Sequence, residues 1–583
     1  MQSNVDCVLD DLNDYPDSWV EILNTTSVPV ALNRVRLGLT PNISEAWQLP
    51  SNQLAGGGHV LIYCDKVASK MHTNFRLESG KGGAVYLFCD GRLVDSVTDI
   101  PHQPAPNISY GRHADGSTAW GWQQTPTPNV ANCGTICTGL LPDPVFSREG
   151  YVMVKGSAFD LTLSLPSDAP AGSVIRYTIN GSEPTESATA YNKPIHVATT
   201  TVVRAKLFCP GWLSPRSTTH SYIFFPRDLT LPVVSLVTDN KHFYDNKTGI
   251  YTKGTYNSSK PNYKHNWRRP VNFEFFEGVG EEAVLNQLCE TRVQGGATRD
   301  NSLKSLALYA LKRFGEKRFR HELFPEDRPG QTDYKSFLLR NAGNDFDYLY
   351  MRDAIIQRTF ARHTDLDFQA WRPTIVYIDG IYKGILNFRE RSTTDNVFTN
   401  YDELEDIDMI ENWNELKAGD KANYNAFKTF YNEHGHTWDE YEQWMECDEF
   451  IDLMLLNLFY NNQDFPGNNI VMWRPRIPEG RWRWIAKDTD FGLGLYGSSA
   501  SYNTIAWLHD NGYDADRAWA NTSDYTRLFR RLMEDDTFRR RFLTKAAVYM
   551  GDWMNYEGTW AVWEPMYNEI RTEYPNHRKL INQ

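Results

Sequence analysis

Over residues 1–132 hydrophobic and polar positions alternate in short runs. SWVEILN places Trp19, Glu21 and Leu23 on one face and Val20 and Ile22 on the other. HVLIYCD and GAVYLFCDGRLVDSV read as further strands, the second stretch folding back at Cys-Asp-Gly. No helical period competes, so the pattern predicts an all-β sandwich over 1–132. Residues 133–144 (CGTICTGLLPDP) read as a linker. A second β module follows over 145–228. Its strand residues are Ile175, Tyr177 and Ile179, Asn180-Gly181 is a hairpin turn, and TTVVRAKLF and HSYIFF close it.

From 229 to 583 the period changes. MRDAIIQRTFARH, NYNAFKTFYNEH, ECDEFIDLMLLNLFYNN and TRLFRRLMEDDTFRRRFLTKAAVYMGDWM carry helical spacing. RPVNFEFFE, KSLALYAL, TIVYIDGIYKGILNF and RWRWIAKD read as strands between them. This mixture predicts an α+β domain.

One stretch asks for chemistry. ECDEFIDLMLLNLFYNN is apolar almost all round, which marks a buried helix. It delivers the chain to Gln463-Asp464, and Phe465-Pro466-Gly467 then forces a tight loop before Asn468 and Asn469. RWRWIAKDTD puts Trp482, Trp484 and Ala486 on one face of a strand, and Asp488 and Asp490 continue that parity. Two adjacent carboxylates stay ionised comfortably only beside a cation. Phosphoryl transfer uses such a set: an Asp that orients the acceptor hydroxyl, an Asn five positions on, and a later Asp, the last two holding divalent metal on the phosphates. Asp464, Asn469 and Asp488 match that spacing, and oxygen ligands suit Mg²⁺ or Mn²⁺. The same spacing also fits a turn followed by capping or surface acids, and spacing alone does not choose.

Bulk properties narrow the classes. At 583 residues the chain exceeds one core. Its net charge is −13 and it has no Lys/Arg-rich run, which argues against a nucleic-acid partner. No run of apolar residues is long enough for a membrane span, and MQSNVDCVLDDLND shows no signal-peptide pattern. Of the 8 cysteines only Cys133 and Cys137 lie close together, and no second pair with zinc spacing follows. Export would allow disulfides; the other reading is a set of buried thiols. The DELEDID run at 402–408 reads as a solvated face. GLGLYG at 492–497 matches a dinucleotide fingerprint but opens no βαβ unit.

Three resemblances extend this reading. WVEILN, AWQLP, LAGGGHVLIY, GGAVYLF, GRLVDSV, SYGRHADG and TPTPNVAN follow the order of the lamin-tail domain, which implies an immunoglobulin-like sandwich. YTINGSEPT and VRAKLF resemble the chitobiase/hexosaminidase C-terminal module, a spacer or binding unit. RVQGGATRDNSLKSLAL, RNAGNDFDYLYMRD, IVYIDGIYKGILNFRER, NNQDFPGNN and KDTDFGLG, in that order, are similar to the CotH kinase family of atypical spore-coat-type protein kinases. That last resemblance implies ATP with Mg²⁺ or Mn²⁺, Asp464 as catalytic residue, and Asn469, Asp488 and Asp490 as metal ligands. It implies Lys304 and Arg299 on the nucleotide phosphates and Glu390, flanked by Arg389 and Arg391, as partner of Lys304. Arg340, Asp345, Arg352 and Asp353 then read as structural ion pairs. The sequence departs from the family at Thr298, where many members carry Ser, and at Leu303-Lys304, where two basic residues are frequent. It has no glycine-rich kinase loop, and GGATRD is the nearest substitute.

The expectation is therefore two N-terminal immunoglobulin-like sandwiches and an atypical-kinase-like α+β domain. Such a protein would act at the bacterial cell surface or outside the cell, phosphorylating Ser/Thr of an acceptor protein that the sequence does not name. The sandwich modules could take a glycan or surface ligand. The alternative is a non-catalytic surface scaffold or adhesin with a degenerate kinase-like domain. A glycoside hydrolase would need two carboxylates flanking a sugar, and only the accessory module points that way.

Overall fold

The computed structural model describes residues 1–123, 125–132, 136–226, 230–497, 499–509 and 519–582. The chain divides into two compact units. One comprises Met1–Val293, Leu308–Phe319 and Val376–Tyr382; the other comprises Gln294–Ala307, Arg320–Ile375 and Lys383–Gln583.

The first unit is built almost entirely of strands. Ser18–Leu23 pairs antiparallel with His59–Cys64. A second sheet runs in the order Trp47–Gln48, Val35–Gly38, Gly83–Cys89, Arg92–Ile100. Ile22 and Ile62 from one sheet share a core with Val35 and Leu37 from the other, which makes this a sandwich. Trp19, on the opposite face of its strand, is buried against Met1, Val8 and Leu61, so both faces are covered. The turn at Asp90-Gly91 has φ of 49° and 79°, the left-handed pair that a two-residue hairpin needs.

The second module packs Tyr151–Val154, Thr218–Phe225, Thr201–Phe208, Val174–Thr178 and Thr189–Ala190 into one sheet, in that order. Asn180-Gly181 does not close a two-residue hairpin. The chain runs on to Thr189 before pairing back with Tyr177. Glu183 explains this: it meets Arg204, lies 3.3 Å from Lys206 and accepts from the Ser217 backbone at 2.8 Å, which anchors the longer loop. Beyond the module, Val233–Val237 pairs with Arg269–Phe276, which in turn pairs with Ala283–Gln294. These strands were expected in the C-terminal domain, but up to Val293 they cluster with the β modules. Cys7, Cys64, Cys89, Cys209, Cys289 and Cys447 are free thiols, and Cys133 lies outside the described residues.

The second unit mixes helices and sheet. Arg352–Ala361, Ala422–Asn432 and Cys447–Phe459 form where the helical period predicts them. The long C-terminal run divides into Ser523–Leu532 and Asp536–Asp552, because Asp535 caps the second helix by accepting from Phe538 N at 2.7 Å. A four-stranded sheet runs Glu415–Ala418, Ile407–Glu411, Val471–Pro475, Arg483–Ile485. Helix Cys447–Phe459 is buried on nearly every side, packing Phe450 and Leu456 into one core with Trp482, Trp484 and Ala486. Two expectations change here. The acidic run at 402–408 is not all solvated: Asp408 is buried and paired with Arg474 at 2.9 Å. The strand carrying Trp484 ends at Ile485, so Asp488 and Asp490 leave it. Among the described residues no helix is long and apolar enough to cross a membrane.

Candidate active site

The loop after helix Cys447–Phe459 is held from several sides. Asn462 Nδ2 donates back to Asn457 Oδ1 at 2.8 Å. The indoles of Trp413 and Trp507 donate to the carbonyls of Pro466 and Phe465, each at 2.8 Å. Gly467 N donates to Ala520 O at 2.7 Å. Asp464 is thus fixed on a rigid loop, only 6% exposed. Its Oδ2 accepts from Asn468 Nδ2 at 3.0 Å and from Asn469 Nδ2 at 2.6 Å. Burial pushes its carboxyl up to about 6; Asn468 opposes that rise and the charge of Asp488 adds to it.

Asn469 links this loop to the next, because its Nδ2 also lies 3.4 Å from the Asp488 carbonyl. Its Oδ1 accepts no hydrogen bond among the described residues. Asn469 and Asp488 both adopt the left-handed conformation, at φ 60° and 49°. Asn and Asp tolerate that region better than other side chains, which accounts locally for their use here.

Thr489 sets the aim of the two acids beside it. Its backbone N donates to Asp353 Oδ1 at 2.7 Å and its hydroxyl to the same oxygen at 3.0 Å. Asp353 lies in the first turn of helix Arg352–Ala361 and is paired with Arg389 at 2.6 Å. Burial opposes ionisation of Asp353, but Arg389 and Arg340 outweigh it and hold the carboxyl below the usual range. With Thr489 pinned, Asp488 and Asp490 both reach Arg340: Asp488 directly, Asp490 at 2.8 Å. Asp490 also accepts from Asn344 N at 3.0 Å. It is fully buried, and burial, with Asp488 alongside, drives its carboxyl well above the ordinary value despite Arg340. Gly343 makes room for this bridge. A Cβ there would stand 2.5 Å from both Arg340 and Asp490, and φ is 64°.

The RNAGN segment also reaches the cationic side. Asn341 Nδ2 donates to Leu303 O at 2.7 Å, and Asn341 Oδ1 accepts from Ser305 Oγ at 2.8 Å. Lys304, buried between those two residues, donates from Nζ to Asn301 O at 2.7 Å. Arg299 Nε donates to Gly295 O at 2.6 Å, so the GGATRD turn folds around its own arginine.

The structure thus brings Asp464, Asn469, Asp488 and Asp490 together through Asn469 and Arg340, and ties the segment carrying Arg299 and Lys304 to the same RNAGN turn. Asp464, Asp488 and Asp490 do not converge on one point as a carboxylate trio. Glu390 is placed elsewhere than expected. It accepts from Arg328 at 3.0 Å, from Ala370 N at 3.0 Å and from Asn400 at 3.2 Å, so its partner is Arg328 and not Lys304. Arg389 serves Asp353, and Arg391 meets Ser336 Oγ at 3.1 Å. Arg352 pairs with Asp345 at 3.0 Å, a structural ion pair as expected. Arg340 also forms ion pairs, as expected, and its partners are Asp488 and Asp490. Lys487 was missed. It meets Glu411, and burial lowers its ammonium to about 8 against the pull of Asp488.

The donor set is chemically coherent: carboxylates and an amide oxygen, with no sulfur or imidazole, the set that suits a hard divalent cation. The guanidinium of Arg340 now neutralises the pair Asp488 and Asp490. An α+β domain carrying a buried acid–amide centre with lysine and arginine on a neighbouring turn is the class defined so far. A family model described as CotH kinase protein matches residues 291–583, half of the chain, and the chain belongs to that family. A second model, the chitobiase/beta-hexosaminidase C-terminal domain, matches residues 155–219. No curated protein matches the chain.

Proposed function

We propose that the second unit is an ATP-dependent phosphotransferase acting on Ser/Thr of surface or secreted proteins. The observation that carries this reading is the linked set Asp464–Asn469–Asp488, in which one amide bridges the catalytic candidate and a metal-ligand candidate. In this reading Asp464 takes the acceptor hydroxyl proton, and a carboxyl held near 6 is ionised at neutral pH yet still basic. Asn468 and Asn469 hold the reacting oxygen's orientation. Asn469 Oδ1, Asp488 and Asp490 would hold Mg²⁺ or Mn²⁺, which when bound screens phosphate charge. Lys304 and Arg299 supply positive charge on the nucleotide side. The first sandwich is read as lamin-tail-like and immunoglobulin-like. The chitobiase-type module hints at a carbohydrate ligand and supports a location at the surface.

The test is transfer of labelled γ-phosphate from ATP to the protein itself and to a generic Ser/Thr acceptor. Transfer by the native chain that is lost in Asp464→Asn and Asp488→Asn is expected. Undiminished transfer by both variants would overturn the assignment. Absence of ATP turnover in the native chain would favour the scaffold reading.

A further inference from the structure

A second constellation lies in the β-rich unit, apart from all the chemistry above. Asp6 precedes the first strand, Asp239 follows strand Val233–Val237, and His242 lies in the turn of helix Asn240–Phe243. One ligand atom from each of the three lies within 4.8 Å of the others.

The imidazole decides what the cluster is. His242 is 0% exposed. Its Nδ1 lies 2.8 Å from Thr238 Oγ1, and that hydroxyl donates its only proton to Pro270 O at 2.6 Å. Thr238 must therefore accept from His242, so Nδ1 carries a proton. Nε2 is buried and has no hydrogen-bond partner. It faces Asp6 Oδ2 at 3.5 Å. A proton on Nε2 would find no acceptor in hydrogen-bonding geometry, so the ring's lone pair is placed there.

A lone pair aimed at a carboxylate oxygen across that gap is unfavourable unless something positive lies between them. The separation fits a metal. Two bonds of about 2.0–2.2 Å meeting at a tetrahedral angle put their donor atoms about 3.4 Å apart. Metal-bound histidines have their other ring N–H held by an outer-shell acceptor, and Thr238 Oγ1 fills that role here.

We propose that Asp6, Asp239 and His242 bind a divalent transition metal, Zn²⁺ by preference, with water completing a tetrahedral set. The charges around it are accounted for. Arg216 holds the other Asp6 oxygen at 2.6 Å, and Arg204 stands 3.9 Å from Asp239. Lys241 Nζ lies 3.6 Å from Asp6 Oδ2, and its side chain is 51% exposed, free to swing out when metal enters. The metal would clip the N-terminal segment to the strand–helix turn at 237–242. The other Asp/His cluster of this unit behaves differently. Both nitrogens of His72 are taken, by Asp65 and Asp11, each at 2.9 Å, and those carboxylates raise the imidazole to about 9 despite its burial.

Cobalt substitution tests the site on the full chain. Co²⁺ is titrated into metal-stripped protein and read by its visible d–d bands, with bound metal counted by mass spectrometry. One equivalent with the intense bands of a tetrahedral centre is expected. The bands should survive Asp488→Asn and vanish in both Asp239→Asn and His242→Gln. Asp239 is the less buried position, so its variant serves even if His242→Gln does not fold. Absence of tetrahedral bands in the native chain, bands unchanged in Asp239→Asn, or bands lost in Asp488→Asn would each overturn the proposal.

Discussion

Asp464→Asn separates the chemistry of the loop from its stability. The carboxyl is 6% exposed and burial moves it from 3.8 to about 6. For an acid raised in this way, the unfolded chain gives up its proton first. The folded state therefore loses stability as pH climbs from about 4 to about 6 and stays penalised above that. A shift of about two units is worth about 3 kcal/mol at pH 8. Asparagine is nearly isosteric, keeps an oxygen for Asn468 and Asn469 to donate to, and carries no charge. The variant should gain on the native chain by an amount that grows by about 2 kcal/mol between pH 4.5 and pH 8. Denaturant unfolding in EDTA at the two pH values measures this. Any constant offset from packing cancels, so the pH-dependent part is the test. A native–variant difference that is equal at both pH values, or that shrinks as pH rises, would refute the reasoning. Transfer activity should fall at the same time by about 10²–10⁴-fold at pH 8, the range for removing a general base.

Four further outcomes follow from the same geometry. Asp488→Asn should keep the fold, since Asn tolerates φ of 49°, yet lose metal-dependent nucleotide binding by calorimetry. Asp488→Ala should cost about 1 kcal/mol more in stability, because Ala is strained there. Gly343→Ala should destabilise by about 2–4 kcal/mol and weaken ATP binding, because the new methyl stands against Arg340 and Asp490. Glu390→Gln should cost about 3 kcal/mol, because Glu390 is buried and paired with the half-buried Arg328, while nucleotide affinity per folded molecule stays unchanged. A fall in affinity without loss of stability would return Glu390 to the nucleotide side.

What the sequence made legible was local. The buried helix Cys447–Phe459 and the tryptophan parity of 482 and 484 follow from periodicity, because burial acts on every residue of a run. The pairing of Asp464 with Asn469 needs only the tight loop between them. The strand stops at Ile485, yet Asp488 and Asp490 still share one aim, toward Arg340, because Thr489 between them is captured by Asp353, which lies 136 residues away in the chain. The partners of Arg340 were not legible because its carboxylates are 148 and 150 residues distant. Glu390 was misplaced because its neutralising group, Arg328, is 62 residues upstream on no recognisable pattern. The turn at Asn180-Gly181 has the right chemistry for a tight hairpin, but a buried ion pair from Glu183 overrides it.

The central claim is that the acids and amides of NNQDFPGNN and KDTDFG bind a cation with a nucleotide. Calorimetric titration of ATP into the full chain, with Mg²⁺ or Mn²⁺ and then with EDTA, tests it most directly. Binding that appears with metal, disappears with EDTA and is lost in Asp488→Asn is the predicted result. No binding with either metal would contradict the account and leave the kinase family as ancestry alone.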